Sequence, residues 1–227
     1  MSKNIFIVGE VSSGKSSFLN ALYHILAPDL WRPISPVSTQ RETNNPICYH
    51  LKDKATKNII PINYDYEEEH NKNAIIRKEK KLPKLEMIHR DLLVQDKKNI
   101  NTITDFYGIN DSNDNRDCIN FMFDQLENNS LIIYITPAER AFVSKSEKEN
   151  FEKILKYVNH ERNNGIYISL VILVSKYDYD DEELKEIFKN NVYHYNFKKF
   201  RWSSYGIFNN IKNKDKFPEY QLEFKKA

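Results

Sequence analysis

Short apolar runs alternate along the chain with amphipathic or polar stretches, and that rhythm predicts an α/β domain. Residues 4–8 (Asn-Ile-Phe-Ile-Val) read as a buried strand, and residues 17–26 carry apolar side chains at helical spacing. Pro28 and Pro33 end that helix, and residues 31–46 keep neither period, so they read as a long loop. Residues 47–51 predict a strand, and 58–63 offer another. From 65 to 82 charge dominates, with Glu67, Glu68 and Glu69 ahead of Arg77, Lys78, Lys80 and Lys81, which describes a solvated helix or a mobile insertion. Residues 85–94 and 100–104 are strand-like and joined by Asp96-Lys97-Lys98-Asn99, a hairpin signal. Residues 118–126 have helical spacing and 130–135 are continuously apolar. Ser146 and Glu149 match a capping box for a helix ending near Gly165. Residues 166–174 read as a buried strand, 181–190 as a short helix and 197–202 as a last strand. Strands alternating with helices in this way build a three-layer α/β fold around a mostly parallel, doubly wound sheet, whose ligands bind at the carboxyl ends of its strands.

Length and charge narrow the picture. The 227 residues suffice for one full core and leave no room for a second large domain. The expected organisation is one domain over 1–211, a charged insertion at about 52–84, and a polar tail or short helix over 212–227. A net charge of +2 with both signs interspersed argues against nucleic acid as a partner. Cys48 and Cys118 lie far apart without a C-x-x-C pattern, and the six histidines are scattered. That spacing argues against a zinc site and a disulfide framework, and it fits a reducing, cytoplasmic setting. The longest apolar stretch, 166–174, is too short to span a bilayer.

Four constellations carry chemistry. Residues 9–17 read Gly-Glu-Val-Ser-Ser-Gly-Lys-Ser-Ser, with Gly9, Gly14, Lys15 and Ser16 in the fixed places of a phosphate-binding loop. A strand precedes it and a helix follows, so Glu10, Val11, Ser12, Ser13 and Ser17 complete a nest of backbone N–H groups at a helix N-terminus. Asp105 and Gly108 form a D-x-x-G at the end of a predicted strand, where the carboxylate can hold a magnesium shell through water and the Gly108 N–H can sense a γ-phosphate. Ser175-Lys176-Tyr177-Asp178 directly follows the strand at 166–174. There Asp178 can accept two hydrogen bonds from guanine, and Lys176 can lay its stem over the base. The turn Ser203-Ser204-Tyr205-Gly206 can offer backbone N–H groups to the guanine carbonyl.

In order and spacing these motifs resemble those of the P-loop GTPases, from about residue 4 to residue 206. The loop sequence with its Ser12-Ser13 pair, the segment Thr39-Gln40-Arg41-Glu42-Thr43 and the long interval between Lys15 and Asp105 are most similar to the dynamin-type large GTPases. The resemblance implies a G domain that binds GTP or GDP with Mg2+. By the same resemblance Lys15 would contact the β- and γ-phosphates, and Ser16 would ligate magnesium. Thr39 would hold the metal and the attacking water, with Thr43 as the alternative. Ser12 would help hold a monovalent cation, K+ or Na+. Val11 stands where the family often has glutamine, and Ser175 where it has asparagine or threonine.

Ile109 occupies the place of the water-orienting glutamine of Ras-like proteins, so activation of water falls to Thr39 or to a partner. Arg41 would act within the chain or across a homodimer formed over the nucleotide face. The expectation is therefore slow, magnesium-dependent GTP hydrolysis stimulated by self-association or a partner. A peripheral membrane association would need segments outside these residues. Two other readings stand beside it: a GTP-gated interaction module with little hydrolysis, and a P-loop small-molecule kinase with its lid in the basic segment 77–84.

Overall fold

The structure, a computed structural model, describes residues 3–29, 34–35, 45–53, 84–106, 108–109, 117–175, 186 and 199–201. In chain order the elements are β1 (Lys3–Gly9), α1 (Lys15–Leu26), β2 (Ile47–Asp53), β3 (Ile88–Val94), β4 (Ile100–Asp105), α2 (Cys118–Phe123), β5 (Ser130–Pro137), a single 3-10 turn (Ala138–Arg140), α3 (Lys145–Asn163), β6 (Ser169–Ser175) and β7 (Lys199–Arg201). The strands form one seven-stranded sheet in the order β3-β2-β4-β1-β5-β6-β7. β4, β1, β5, β6 and β7 run parallel; β2 is antiparallel to β4, and β3 is parallel to β2.

The central strands bury both faces, which is why their apolar runs are continuous. Along β1, Ile5 and Ile7 point to one side and pack with Phe18, Leu19 and Leu22 of α1. Phe6 and Val8 point to the other and join Met122 of α2 with Phe151, Ile154 and Val158 of α3. The result is the expected three-layer, doubly wound α/β sheet. The chain winds outward from β1 in both directions, so the carboxyl end of β1 lies at the topological switch point, where such sheets bind ligands.

Two local expectations are corrected. The runs at 85–94 and 100–104 are strands but form no hairpin, because β2 lies between them. β2 buries Ile47, Cys48, Tyr49 and Leu51, whereas β3 at the edge exposes His89 and Asp91, polar side chains of the kind that an edge strand keeps in solvent. The connection 95–99 passes the end of β2 with Lys98 and Asn99 at positive φ, and the Gln95 N–H donates to Leu26 O at the end of α1. The long helix starts two residues before the expected box. Ser144 Oγ accepts from the Glu147 N–H at 3.0 Å, so Ser144 rather than Ser146 is the cap. The shift follows from Phe142, which is fully buried at φ 53° and whose N–H finds its acceptor in the Glu147 carboxylate at 3.1 Å.

The strand expected at 58–63, the charged segment 65–82 and with it nearly all of the insertion at about 52–84, and the tail 212–227 lie outside the described residues. So does the helix at 181–190 apart from residue 186, and most of the loop 31–46. No helix among the described residues is long and apolar enough to cross a membrane.

Candidate functional site

The loop between β1 and α1 is shaped by two glycines. Gly9 has φ 153°, and a Cβ there would lie 2.2 Å from the Ile135 carbonyl oxygen on β5, a contact no side chain tolerates. Gly14 caps α1 at φ 96° without any side-chain cap, and the first turn of α1 holds no acidic residue. The helix thus presents its N–H groups and the positive end of its dipole to the loop. Lys15 is buried, and its ammonium donates to Gly9 O at 3.0 Å and to Glu10 O at 2.6 Å. Ser12 takes φ 62°, and Ser16 and Ser17 are half-buried in the first helical turn. Ser13 is fully buried, and its hydroxyl finds no hydrogen-bond partner among the described residues.

Asp105 ends β4 and is paired in register with Ile7 of β1, two residues before Gly9. Its carboxyl is buried; Oδ2 accepts from Ser35 Oγ at 3.1 Å, and Oδ1 has no hydrogen-bond partner among the described residues. Burial pushes its pKa up to about 6, against the pull of the Lys15 charge and the Ser35 hydroxyl. Ser35 is itself anchored. Asn20 on α1 accepts from the Ile34 and Ser35 N–H groups and donates to Ser35 O, while the Tyr49 hydroxyl donates to Ile34 O. Residues 34–35 are thereby clamped just before the threonine-bearing segment.

Beyond Asp105 the chain continues alongside the phosphate loop. The Ile109 N–H donates to Gly9 O at 3.1 Å, and Ile109 bridges Glu10. A Cβ on Gly108 would lie 2.7 Å from the backbone N and Cα of Val11, so the D-x-x-G glycine and the phosphate loop are in close contact. The Ile109 side chain is buried with Phe106 and Cys118 in the core.

The opposite wall comes from the segment after β5. Arg140 donates to Val11 O at 3.4 Å, and the Ser144 hydroxyl reaches Glu10 Oε1 at 3.5 Å. Behind them, burial raises the Glu147 pKa to about 7, with Glu10 adding to the rise and the Thr136 hydroxyl, the Phe142 N–H and Arg140 opposing it. Ser175 Oγ donates to Ser13 O at 2.5 Å and also reaches Thr136 O at 3.5 Å. The first residue of the Ser-Lys-Tyr-Asp motif therefore ties β6 to the phosphate loop.

Of the residues singled out in the sequence, the structure brings together Gly9 to Ser17, Asp105 and Gly108 at the carboxyl ends of β1 and β4. Thr39, Thr43, Arg41, Lys176, Asp178, Ser203 and Ser204 lie outside the described residues. Sequence reasoning missed Asn20, Ser35, Arg140 and Glu147. A polar Asn in the apolar face of α1 was the one local signal among them; the others depend on long-range contacts. The scattered placement expected of cysteines and histidines also needs correction. Cys48 and Cys118 are buried free thiols, but Cys48, His50 and His89 converge, their ligand atoms all within 4.8 Å of one another. Strand alternation puts Cys48 and His50 on one face of β2, and parallel register puts His89 opposite Cys48.

The residues fit a magnesium-bound phosphate: a buried carboxylate oxygen without a hydrogen-bond partner lies at a strand end, within the field of Lys15. Compared with known proteins, residues 5–174 match the sequence model of the dynamin family. No curated protein matches the chain. Among solved structures, the chain is similar to one titled "Signal recognition particle receptor SRb-GTP/SRX complex from Chaetomium thermophilum", at 12% identity and a TM-score of 0.40, covering 89% of this chain and 90% of that one.

Proposed function

Because the chain belongs to the dynamin family, we propose that it binds GTP with Mg2+ through its phosphate loop and hydrolyses it slowly, with stimulation by self-association or a partner. The observation that carries the reading is the convergence of Lys15 and the buried Asp105 at the switch point of the sheet, beside an uncapped helix N-terminus. Lys15 exchanges the Gly9 and Glu10 carbonyls for phosphate oxygens, and the loop and helix N–H groups take the remaining charge. Ser16 and Thr39 would hold the magnesium directly, with Thr43 the alternative to Thr39, and Asp105 would hold it through water. The ion supplies charge neutralisation on the phosphates. Lys176, Asp178 and the turn at Ser203 and Ser204 select guanine, and Ser175 links that end of the site to the phosphate loop. Ser12 would position a K+ or Na+ ion.

Hydrolysis is slow because Ile109 is a buried core residue with no polar group to orient water. Thr39 takes that role, and a cationic group supplies the remaining charge: Arg41, or Arg140, which already borders Val11. The same burial of Ile109 favours the second reading, a GTP-gated interaction module that releases little phosphate. The test compares bound nucleotide with released phosphate, for GTP against ATP, across protein concentrations and in Na+ against K+. GTP preference, specific activity rising with concentration and loss of binding in Lys15→Ala support the proposal. Unchanged GTP affinity in Lys15→Ala would remove the site assignment, flat specific activity would remove self-stimulation, and binding without turnover would leave the interaction module. ATP chosen over GTP would favour the kinase.

A further inference from the structure

The polar face of the β2–β3 edge holds a group of side chains that nucleotide chemistry does not use. His50 Nε2 and His89 Nδ1 lie 2.9 Å apart, and Cys48 Sγ lies 3.9 Å from His50 Nε2. The two imidazole centroids are 5.1 Å apart at an interplanar angle of 28°. That separation is about the nitrogen–nitrogen distance plus two ring radii, so the rings meet edge to edge with ring nitrogens facing. One of the facing nitrogens of a neutral pair carries the hydrogen of an N–H···N hydrogen bond, and with both nitrogens unprotonated on that side the same two lone pairs are available to a cation.

We propose that Cys48 Sγ, His50 Nε2 and His89 Nδ1 bind one borderline-soft divalent transition metal, of which Zn2+ is the physiological candidate, stapling edge strand β3 to β2. One thiolate and two imidazoles are the ligand softness that selects zinc over magnesium or calcium. In tetrahedral zinc sites, bond lengths of about 2.0–2.3 Å place donor atoms about 3.3–3.6 Å apart. The observed 2.9 and 3.9 Å bracket that span and the remaining pair lies within 4.8 Å, so side-chain rotations of about 1 Å complete the site. Binding displaces the thiol proton to solvent and leaves Cys48 as thiolate; no oxidant or reductant is involved. The fourth position opens on the exposed side, at His89, and goes to water. Because Cys48 pairs with Thr104, the residue before Asp105, the metal sits one register step from the nucleotide end of β4. It would fix the start of β2 directly after the threonine-bearing segment.

The test is titration of the tag-free, nucleotide-free chain with Co2+ in excess Mg2+, read by absorbance. The expected result is one equivalent bound, with tetrahedral d–d bands and a thiolate charge-transfer band that Zn2+ abolishes by displacement. Cys48→Ser should lose the charge-transfer band, and His89→Ala should weaken Co2+ affinity at least about tenfold. His89 is exposed, so that variant keeps the test valid if Cys48→Ser does not fold. Zn2+ at about a hundredfold excess over its Kd should raise Tm by about 5 °C in the wild type, and not in His89→Ala at the same concentration. Absence of saturable Co2+ binding, a charge-transfer band retained in Cys48→Ser, or equal affinity in His89→Ala would overturn the proposal.

Discussion

Replacing Glu147 by Gln should flatten the pH dependence of stability, because this carboxyl is fully buried directly behind the phosphate loop. Its pKa rises from an ordinary 4.5 to about 7, mainly by burial and then by Glu10, against the Thr136 hydroxyl, the Phe142 N–H and Arg140. The folded state therefore holds the proton more tightly than the unfolded chain, and stability is lost as pH rises from about 4.5 to about 7. At about 1.4 kcal/mol per tenfold change in proton affinity, that rise corresponds to about 3 kcal/mol at most, of which about 2 to 3 kcal/mol falls between pH 5 and pH 8. Glutamine does not titrate, and its carbonyl can still accept from the Phe142 N–H at the helix cap. Denaturant unfolding of both proteins without nucleotide, at several pH values from 5 to 8, measures the difference directly. Asp105 titrates in both proteins and cancels in the comparison. The wild type should lose about 2 kcal/mol more than the variant across that range, and the variant should be the more stable protein at pH 8. Parallel profiles would show that water or a rearranged Arg140 already neutralises the carboxylate, and would refute the reasoning.

Three further outcomes follow from the same geometry. Magnesium-dependent nucleotide binding should weaken as pH falls through about 6, the pKa to which burial raises Asp105, since its protonated carboxyl cannot hold the metal shell. Isothermal titration at pH 5 and pH 7 should show roughly a tenfold loss, absent in Asp105→Asn. Gly9→Ala puts a methyl 2.2 Å from the Ile135 carbonyl at a φ that disfavours side chains, so thermal unfolding should report a loss of about 3 kcal/mol or more. Gly108→Ala pushes against the backbone of Val11 and should cost about 1–3 kcal/mol of stability, with nucleotide affinity falling further than stability requires; unchanged affinity would show that the Gly108–Val11 contact is irrelevant to the loop.

What could be read from sequence was local, and what could not was register. The phosphate loop was legible because Gly9 and Gly14 answer constraints within a few residues, and the core strands because continuous apolar runs such as Leu170 to Val174 have no other home. Asp105 was legible as a strand end, but its raised pKa was not, because that depends on Ser35, held in turn by Asn20 and Tyr49 from separate elements. The hairpin expected between β3 and β4 shows the limit most clearly. A short turn-like connection normally joins paired strands, yet Lys98 and Asn99 at positive φ carry the chain past β2 instead. β2 consequently has a partner on each side. Ile47 of β2 comes to lie opposite Asp105, so the strand leaving the threonine-bearing segment supports the end of the D-x-x-G strand. On the other side of β2, His89 lies opposite Cys48, so a cysteine and a histidine separated by forty-one positions (89 − 48 = 41) share one face. Had the hairpin formed, β3 would stand between β2 and β4 and Ile47 could not lie opposite Asp105, so the order of the edge strands decides which strand supports the end of the D-x-x-G strand.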